Sequence, residues 1–358
     1  LPRLKATLWD YLGPMLPSSH GPKSQKEVRR LKGFMDIDMA FGTCASTDEV
    51  PLLLAVPLLM DRHRGGVVYP KGGSASLPAA LEHGLKKHGG TIHYHAEVER
   101  ILTNSGRVEG VRTKGGEVVR SARVVTNVNI WDTFQKLLDS YEVNTKRRKE
   151  VQSLEPSFSV FTTCVGVDAK LVQEGTHAHS VVIPQPDGGV KDAAIVTIPS
   201  LIDPFLAPEG RHAVTITTVD DYKEWVPAGF VNARENPDLS AQRTARALTR
   251  AESLLPGIAE AGEVIHTASP ATWESQFGRR FGVVGGPAQI LPQSLDGRQG
   301  NTTEIKGLYL VGDSTFPGEG EVAVTLSGLL CADQITSRRG PELSPWSSMF
   351  RRLKFGER

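Results

Sequence analysis

The stretch that most restricts how this chain can fold is Gly307-Leu-Tyr-Leu-Val-Gly-Asp-Ser-Thr-Phe-Pro-Gly-Glu-Gly-Glu-Val-Ala-Val-Thr-Leu-Ser-Gly-Leu-Leu-Cys-Ala332. Leu308 to Val311 is a short apolar run cut off at Gly312-Asp313, the pattern of a buried strand entering a turn. Gly318 and Gly320 open the next segment, and Val322 to Ala332 is apolar with small residues at Ala323, Ser327, Gly328 and Ala332. The pattern predicts a strand, a glycine-rich turn and a closely packed helix. Such a unit suits a dinucleotide. Backbone can approach the ligand, the helix N-terminus faces anionic groups, and a carboxylate at the strand end accepts from a ribose-type hydroxyl. An ordinary strand–turn–helix of an α/β domain carries the same pattern, so these residues alone leave both readings open.

Composition narrows the remaining classes. A chain of 358 residues is too long for one small core and fits one large or two intimately joined domains. Its 39% hydrophobic and 23% charged content describes a soluble globular protein, and a net charge of +1 argues against nucleic-acid binding by bulk electrostatics. The three cysteines, Cys44, Cys164 and Cys331, are far apart and odd in number, so reduced thiols are expected and no metal-ligand spacing arises. No run approaches the ~20 apolar residues of a membrane span. The sequence holds no Ser–His–acid, kinase or P-loop signature and no metal motif. Protein side chains alone therefore offer no strong catalytic group, which is the situation of an enzyme whose cofactor carries the chemistry.

Along the chain, apolar spacing predicts helices over Leu1–Leu16 and Lys26–Phe41, and a core helix interrupted by Pro57 in Val50–Met60. Val67–Tyr69 reads as a strand before a turn at Pro70–Gly73, and Ser76–His88 as an amphipathic helix stopped by Gly89-Gly90. Thr91–Arg112 alternates in the manner of two strands, with turns at Asn104-Ser-Gly106 and Lys114-Gly-Gly116, and Val118–Thr126 supplies another strand. His93 and His95 would share one face of that first strand, yet no carboxylate or cysteine joins them as a ligand, so the expected metal is none. Strands are expected near Ser157–Val167, Val181–Pro184, Ala194–Pro199 and His212–Val219, followed by a Ser240–Leu255 helix, together a mixed sheet with covering helices. Arg279 and Arg280 are candidates for facing a phosphate or a partner. The tail from Ser337 to Arg358 mixes basic and apolar residues, a basic amphipathic element suited to an anionic membrane or a partner groove, or a loosely docked end.

Three motifs in order resemble the carotenoid (prolycopene) cis–trans isomerase branch of the phytoene desaturase and FAD-dependent amine oxidase superfamily. They are Asp61-Arg-His-Arg-Gly-Gly-Val-Val-Tyr-Pro-Lys-Gly-Gly73, Asn127-Val-Asn-Ile-Trp-Asp-Thr-Phe134, and Gly312-Asp313 with Phe316-Pro317-Gly318 and an Ala-Val-x-x-Ser-Gly helix. The resemblance implies an α/β fold: an FAD/NAD(P)-binding Rossmann-like flavoprotein domain with an inserted mixed-sheet substrate domain. It implies segments at 1–60 (helical, substrate- or membrane-proximal), 61–134 and 276–336 (cofactor), 135–275 (substrate) and 337–358 (tail). It implies FAD contacts at Val98, Thr126, Asn127, Gly312, Asp313, Pro317, Gly318 and Val322. Asp313 would hold the ribityl chain, and Pro317 and Gly318 would pass beneath the ring. No catalytic side chain is indicated.

Expected partners are a carotenoid or other apolar polyene, a peripheral membrane contact and a larger protein complex, in a plastid or a cyanobacterial cell. Two departures qualify that expectation. The family's strand–Gly-x-Gly-x-x-Gly–helix unit, which holds the pyrophosphate, does not occur in this sequence. The chain is accordingly read as N-terminally incomplete, processed or divergent, with FAD held weakly or absent. Glu319 and Glu321 also stand where the family usually has uncharged residues, and two carboxylates there would oppose an anionic reduced ring. Three functions follow as expectations: a redox-neutral polyene isomerase using reduced FAD, a desaturase or saturase of the same fold, and a non-catalytic assembly subunit.

Overall fold

The computed structural model describes residues 6–16, 22–64, 68–183, 189–291, 293–294 and 297–336. Helices α1 (Leu8–Leu12), α2 (Pro22–Thr43), α3 (Leu52–Arg64) and α4 (Ser76–Lys87) come first. Strands β1 (Val98–Asn104), β2 (Arg107–Thr113), β3 (Val118–Arg120) and β4 (Val124–Thr126) follow, then helices α5 (Ile130–Asp132) and α6 (Thr145–Gln152). Next are β5 (Ser159–Asp168), β6 (His179–Val182), β7 (Ala194–Thr197), β8 (Arg211–Asp220), α7 (Pro237–Ala251), α8 (Ile258–Ala261), β9 (Glu263–Ala268) and α9 (Pro270–Phe277). Strand β10 (Leu308–Leu310) and helix α10 (Glu321–Thr336) close the described chain. These form two compact units, 1–95 with 157–284, and 96–156 with 285–358.

The first unit is built on a five-stranded sheet in the order β6-β7-β8-β5-β9. All four of its strand pairs are antiparallel, where a mixed sheet was expected. β7 returns to its neighbour β8 through two single turns, Pro199–Leu201 and Pro204–Leu206, rather than through the crossover helix that parallel pairing usually takes. The central β8 buries alternate residues, Val214, Ile216, Thr218 and Asp220, and so covers one face, while its neighbour β5 is buried along most of its length. Helix α7 starts at Asn236, whose side chain accepts from Leu239 N at 3.1 Å, with Pro237 at its first position. It lays Ala247 and Ala251 against Val165, Val196, Val214 and Ile216. Each fully buried Val, Leu or Ile in such a core contributes about 1.5–3 kcal/mol.

In the same unit Asp220 anchors α7 to β8. Its carboxylate accepts from Arg243 Nε at 2.9 Å and from Trp225 Nε1 at 3.0 Å. Helix α3 runs through Pro57 to Arg64, so the Asp-Arg-His element begins as a helix end. Residues 65–67 lie outside the described residues, and Val68 and Tyr69 form no ladder, so the expected strand there is not found. Val68 is instead 89% exposed. The expected strand over 91–97 is absent too. His95 adopts φ 57° in a turn, which breaks the alternation and leaves His93 and His95 exposed rather than sharing a strand face.

The second unit carries the three-stranded antiparallel sheet β1-β2-β3 and the two-stranded parallel pair β10-β4. Val118–Thr126, expected as one strand, is two. The Ser121 hydroxyl donates to Arg123 O at 2.6 Å and closes a small loop, so β3 continues the first sheet and β4 joins β10. Among the described residues no helix is long and apolar enough to cross a membrane. The tail from 337, read above as basic and amphipathic, lies outside the described residues.

Candidate functional site

The parallel pairing of β4 with β10 sets Leu308 beside Val124 and Leu310 beside Thr126, and Val311 N donates to Thr126 O at 3.0 Å. Both strands therefore deliver their carboxyl ends to one place, where α/β sheets bind ligands. Asn127 and Gly312 meet there. A Cβ on Gly312 would lie 2.2 Å from Asn127 Oδ1, and Gly312 has φ +92°, so space and backbone both require glycine.

The turn that follows is fastened from within. Thr315 Oγ1 donates to Gly312 O at 2.8 Å, Phe316 N donates to Gln299 O at 2.8 Å, and the Phe316–Pro317 peptide is cis. Ser327, buried on α10, bonds Thr315 Oγ1 at 2.7 Å and accepts from Gly312 N at 3.2 Å and from Asn301 Nδ2 at 3.2 Å. A larger residue at 327 would displace the helix from the strand end, which is the physical use of the small residue seen in the sequence.

The Trp-Asp-Thr-Phe element is joined to the same turn. Asn129 caps the short helix α5 by accepting from Asp132 N at 2.8 Å, and Ile130 N donates to Ser314 Oγ at 3.1 Å. Trp131 and Phe134 are buried beneath it. A third segment, Gly285–Gln289, closes the opposite side. Gly286 sits against the Asp313 carboxylate, since a Cβ there would lie 3.1 Å from Asp313 Oδ1. Arg298, buried, donates through Nη1 to Pro287 O at 2.9 Å and through Nη2 to Asp313 O, holding the two loops together.

Of the positions expected from sequence, Thr126, Asn127, Gly312, Asp313, Pro317 and Gly318 lie on these strand ends and the turn between them. Thr126 is buried and Asp313 half-buried. Val98 opens β1 opposite Thr113, at the far end from the hairpin turn. Arg107 in β2 bridges Lys306 in parallel, so the Val98 end and the Asp313 end point the same way. Val322, in the first turn of α10, is 79% exposed. Glu319 does not project freely. It folds onto Gly285, where a Cβ would lie 1.3 Å from its Oε2, and accepts from Gln289 Nε2 at 3.4 Å. Glu321 is exposed in the first turn of α10, a favourable place for a carboxylate at a helix N-terminus.

Sequence reasoning missed Arg298 and Gln289. A single arginine or glutamine in an irregular loop gives no local signal; only the Gly285-Gly286 doublet beside them hinted at a close approach. Arg279 and Arg280 are spent elsewhere, in the other unit. Arg279 Nε donates to Val283 O at 3.0 Å, and Arg280 lies over the Phe281 ring at 5.0 Å. Among the described residues no group of histidine, cysteine, aspartate or glutamate side chains could hold a metal.

The strand-end cluster suits a flavin on its own evidence. A carboxylate and an amide stand at paired strand ends, and two glycines leave no room for side chains. Beside Gly318, Gln289 Oε1 is a buried acceptor with no partner among the described residues, as an acceptor awaiting a ligand N–H or O–H would be.

A model of the flavin containing amine oxidoreductase family matches residues 20–336. Prolycopene isomerase 1, chloroplastic, of an Oncidium hybrid cultivar is 32% identical over 335 residues, which cover 91% of this chain and 56% of that protein. The Arabidopsis thaliana prolycopene isomerase is 31% identical with the same coverage. A zeta-carotene-forming phytoene desaturase of Myxococcus xanthus is 30% identical over 78% of this chain and 55% of its own length. The chain thus spans little more than half the length of these relatives. Among solved structures, an oxidoreductase from Methanosarcina mazei superposes with a TM-score of 0.64 at 21% identity, covering 93% of this chain and 68% of that one. A putrescine oxidase variant does so with a TM-score of 0.57 at 14% identity, covering 94% and 69%. Two thirds or more of each solved structure is thereby matched in fold, and the family match runs through both strand-end motifs: the chain belongs to the flavin-containing amine oxidoreductases and shares their α/β flavoprotein fold.

Proposed function

We propose that this chain belongs to an FAD-dependent polyene isomerase, converting a long apolar cis-carotenoid to its trans form without net oxidation. One observation carries the reading: the Trp131–Phe134 element, which resembles the isomerase branch, is bonded through Ile130 N and Ser314 Oγ to the turn that presents Asp313. The residues proposed to hold FAD are Val98, Thr126, Asn127, Gly312, Asp313, Pro317, Gly318 and Val322. When bound in its reduced form, FAD would supply the electrons that lower the double-bond order of a polyene. This chain's own residues orient and enclose. Asp313 accepts from a cofactor hydroxyl, Gly312 and Gly318 let backbone come close, and Glu319 is held against Gly285 and Gln289. The segments 61–134 and 276–336 as cofactor region and 135–275 as substrate region belong to this proposal, as do a plastid location and contact with a membrane surface.

The similarity to a phytoene desaturase favours a second reading, with net removal of hydrogen from the same class of substrate. The two separate by mass. The protein supplied with FAD and a reductant is expected to turn poly-cis carotenoid into the all-trans form of unchanged mass. A product lighter by hydrogen moves the assignment to desaturase. A flavin-loaded preparation that alters no polyene leaves only the non-catalytic, assembly-subunit reading.

A further inference from the structure

The second unit contains a recess that the flavin reading does not use. It is a cleft of about 250 Å³ whose walls include Ile130, Arg147, Arg298, Gln299 and Ser314. That is smaller than pockets enclosing drug-sized ligands, so it suits a small group or one end of a larger molecule. Its lining is cationic. Among the described residues Arg147 and Arg298 share the lining with one carboxylate, Glu150, whose side chain is 49% exposed.

Arg147 is held flat and under-used. Its guanidinium lies over the Phe134 ring at 4.9 Å, Nη2 donates to Gln299 Oε1, and Nη1 stands 3.5 Å from Glu150 Oε2. Its Nε is buried and meets no acceptor among the described residues. A buried charged donor left unmatched is costly, so the protein's own groups satisfy the Arg147 guanidinium incompletely. Arg298, only 5% exposed, adds a second positive charge fixed by main-chain carbonyls. Lys146 and Lys149 of the same Lys146-Arg-Arg-Lys149 run border the adjoining surface, giving a field that draws anions in.

We propose that this cleft binds a small oxyanion, a phosphate or carboxylate group, with Arg147 as its principal donor. An anion there touches the flavin turn through Ser314, whose hydroxyl already accepts from Ile130 N, and through Arg298, which holds Asp313 O. The oxyanion has two sources, a free ion or phosphoester, or the phosphates of a flavin dinucleotide. The inference stands on the cleft alone and does not require the flavin reading.

The test titrates inorganic phosphate into the purified 358-residue chain at constant ionic strength, with chloride as reference, by calorimetry and thermal melting. Saturable binding is expected. Arg147→Gln should weaken it about tenfold or more, the usual worth of a charge-assisted bond, while Lys170→Gln in the other unit leaves it unchanged. Ser153→Glu, on the exposed rim, should abolish binding by like charge and serves if Arg147→Gln fails to fold. Displacement of phosphate by FAD but not riboflavin assigns the oxyanion to the cofactor; displacement by neither assigns a free ion. No saturable binding, or wild-type affinity in the folded variants, overturns the site.

Discussion

Asp313 and Gly286 set the geometry at the scale of single residues. Gly286 is pressed on the Asp313 carboxylate, so a side chain at position 286 would crowd it. On the proposed function, Asp313→Ala should weaken FAD binding by about 1–3 kcal/mol, the range for a hydrogen bond to a charged group, measured by quenching of flavin fluorescence. Unchanged affinity would detach this motif from the cofactor. Tyr222 offers a residue-scale test of pH. Its hydroxyl donates to Glu274 Oε2 at 2.7 Å and accepts from Ala233 N at 3.0 Å, and burial, followed by that carboxylate, pushes the phenol well above the usual tyrosine range. The folded state therefore holds this proton more tightly than the unfolded chain does. Stability should be intact below the ordinary tyrosine pKa of about 10 and fall as pH rises through it. Tyr222→Phe should flatten the alkaline limb of a stability–pH curve; an equally steep limb would show that other groups cause it.

Helices and strands differ in how far their ends could be read in advance. α9 begins at Ser269-Pro270 with a reciprocal cap between Ser269 and Thr272 and ends at Gly278 with φ 62°, all local chemistry. α4 ends as the Gly89-Gly90 pair predicts, with Gly90 N donating to Leu85 O at 2.9 Å. The β3–β4 break was not legible. A run of valines around Ser121–Arg123 alternates well enough for one strand, and only the partners β2 and β10 divide it. The join of α7 to β8 is likewise a tertiary fact, resting on Asp220, whose side chain is 3% exposed beside Arg243 at 11%. Asp220→Ala should cost about 1–3 kcal/mol, because the Trp225 N–H is left unmatched and Arg243 keeps only its partners Glu224 and Gln242, and chemical denaturation will read that loss. A change below about 1 kcal/mol would mean water replaces the carboxylate readily.

At the scale of the whole molecule, the compact units fall at His95, Pro156 and Val284, so the chain enters each unit twice. In the second unit the parallel sheet consists of β4 and β10 alone among the described residues. The sequence supplies no Gly-x-Gly-x-x-Gly turn to present amides to a pyrophosphate. The 358-residue span purified by itself should therefore hold FAD weakly, and its visible spectrum should show flavin far below one per chain. A stoichiometric flavin band would show that the walls described here suffice.

What the sequence determined by itself is what neighbouring residues decide among themselves. The strand, glycine turn and helix of Gly307–Ala332, the Asn104-Ser-Gly106 hairpin, and the caps of α7 and α9 depend on φ preferences, periodicity and contacts a few residues apart. The motif matches extended this to the family and to six positions now found on one pair of strand ends and the turn beyond them. Tertiary structure alone decided the rest. Ile130 meets Ser314, Arg147 meets Gln299, and β4 pairs in parallel with β10, each across more than a hundred residues of chain. The buried Gln289 acceptor, the Arg298 clamp and the cationic cleft are likewise assembled by long-range packing. A polar side chain in a loop carries no periodic signal, and its role is set by which distant carbonyl or carboxylate the fold brings to it.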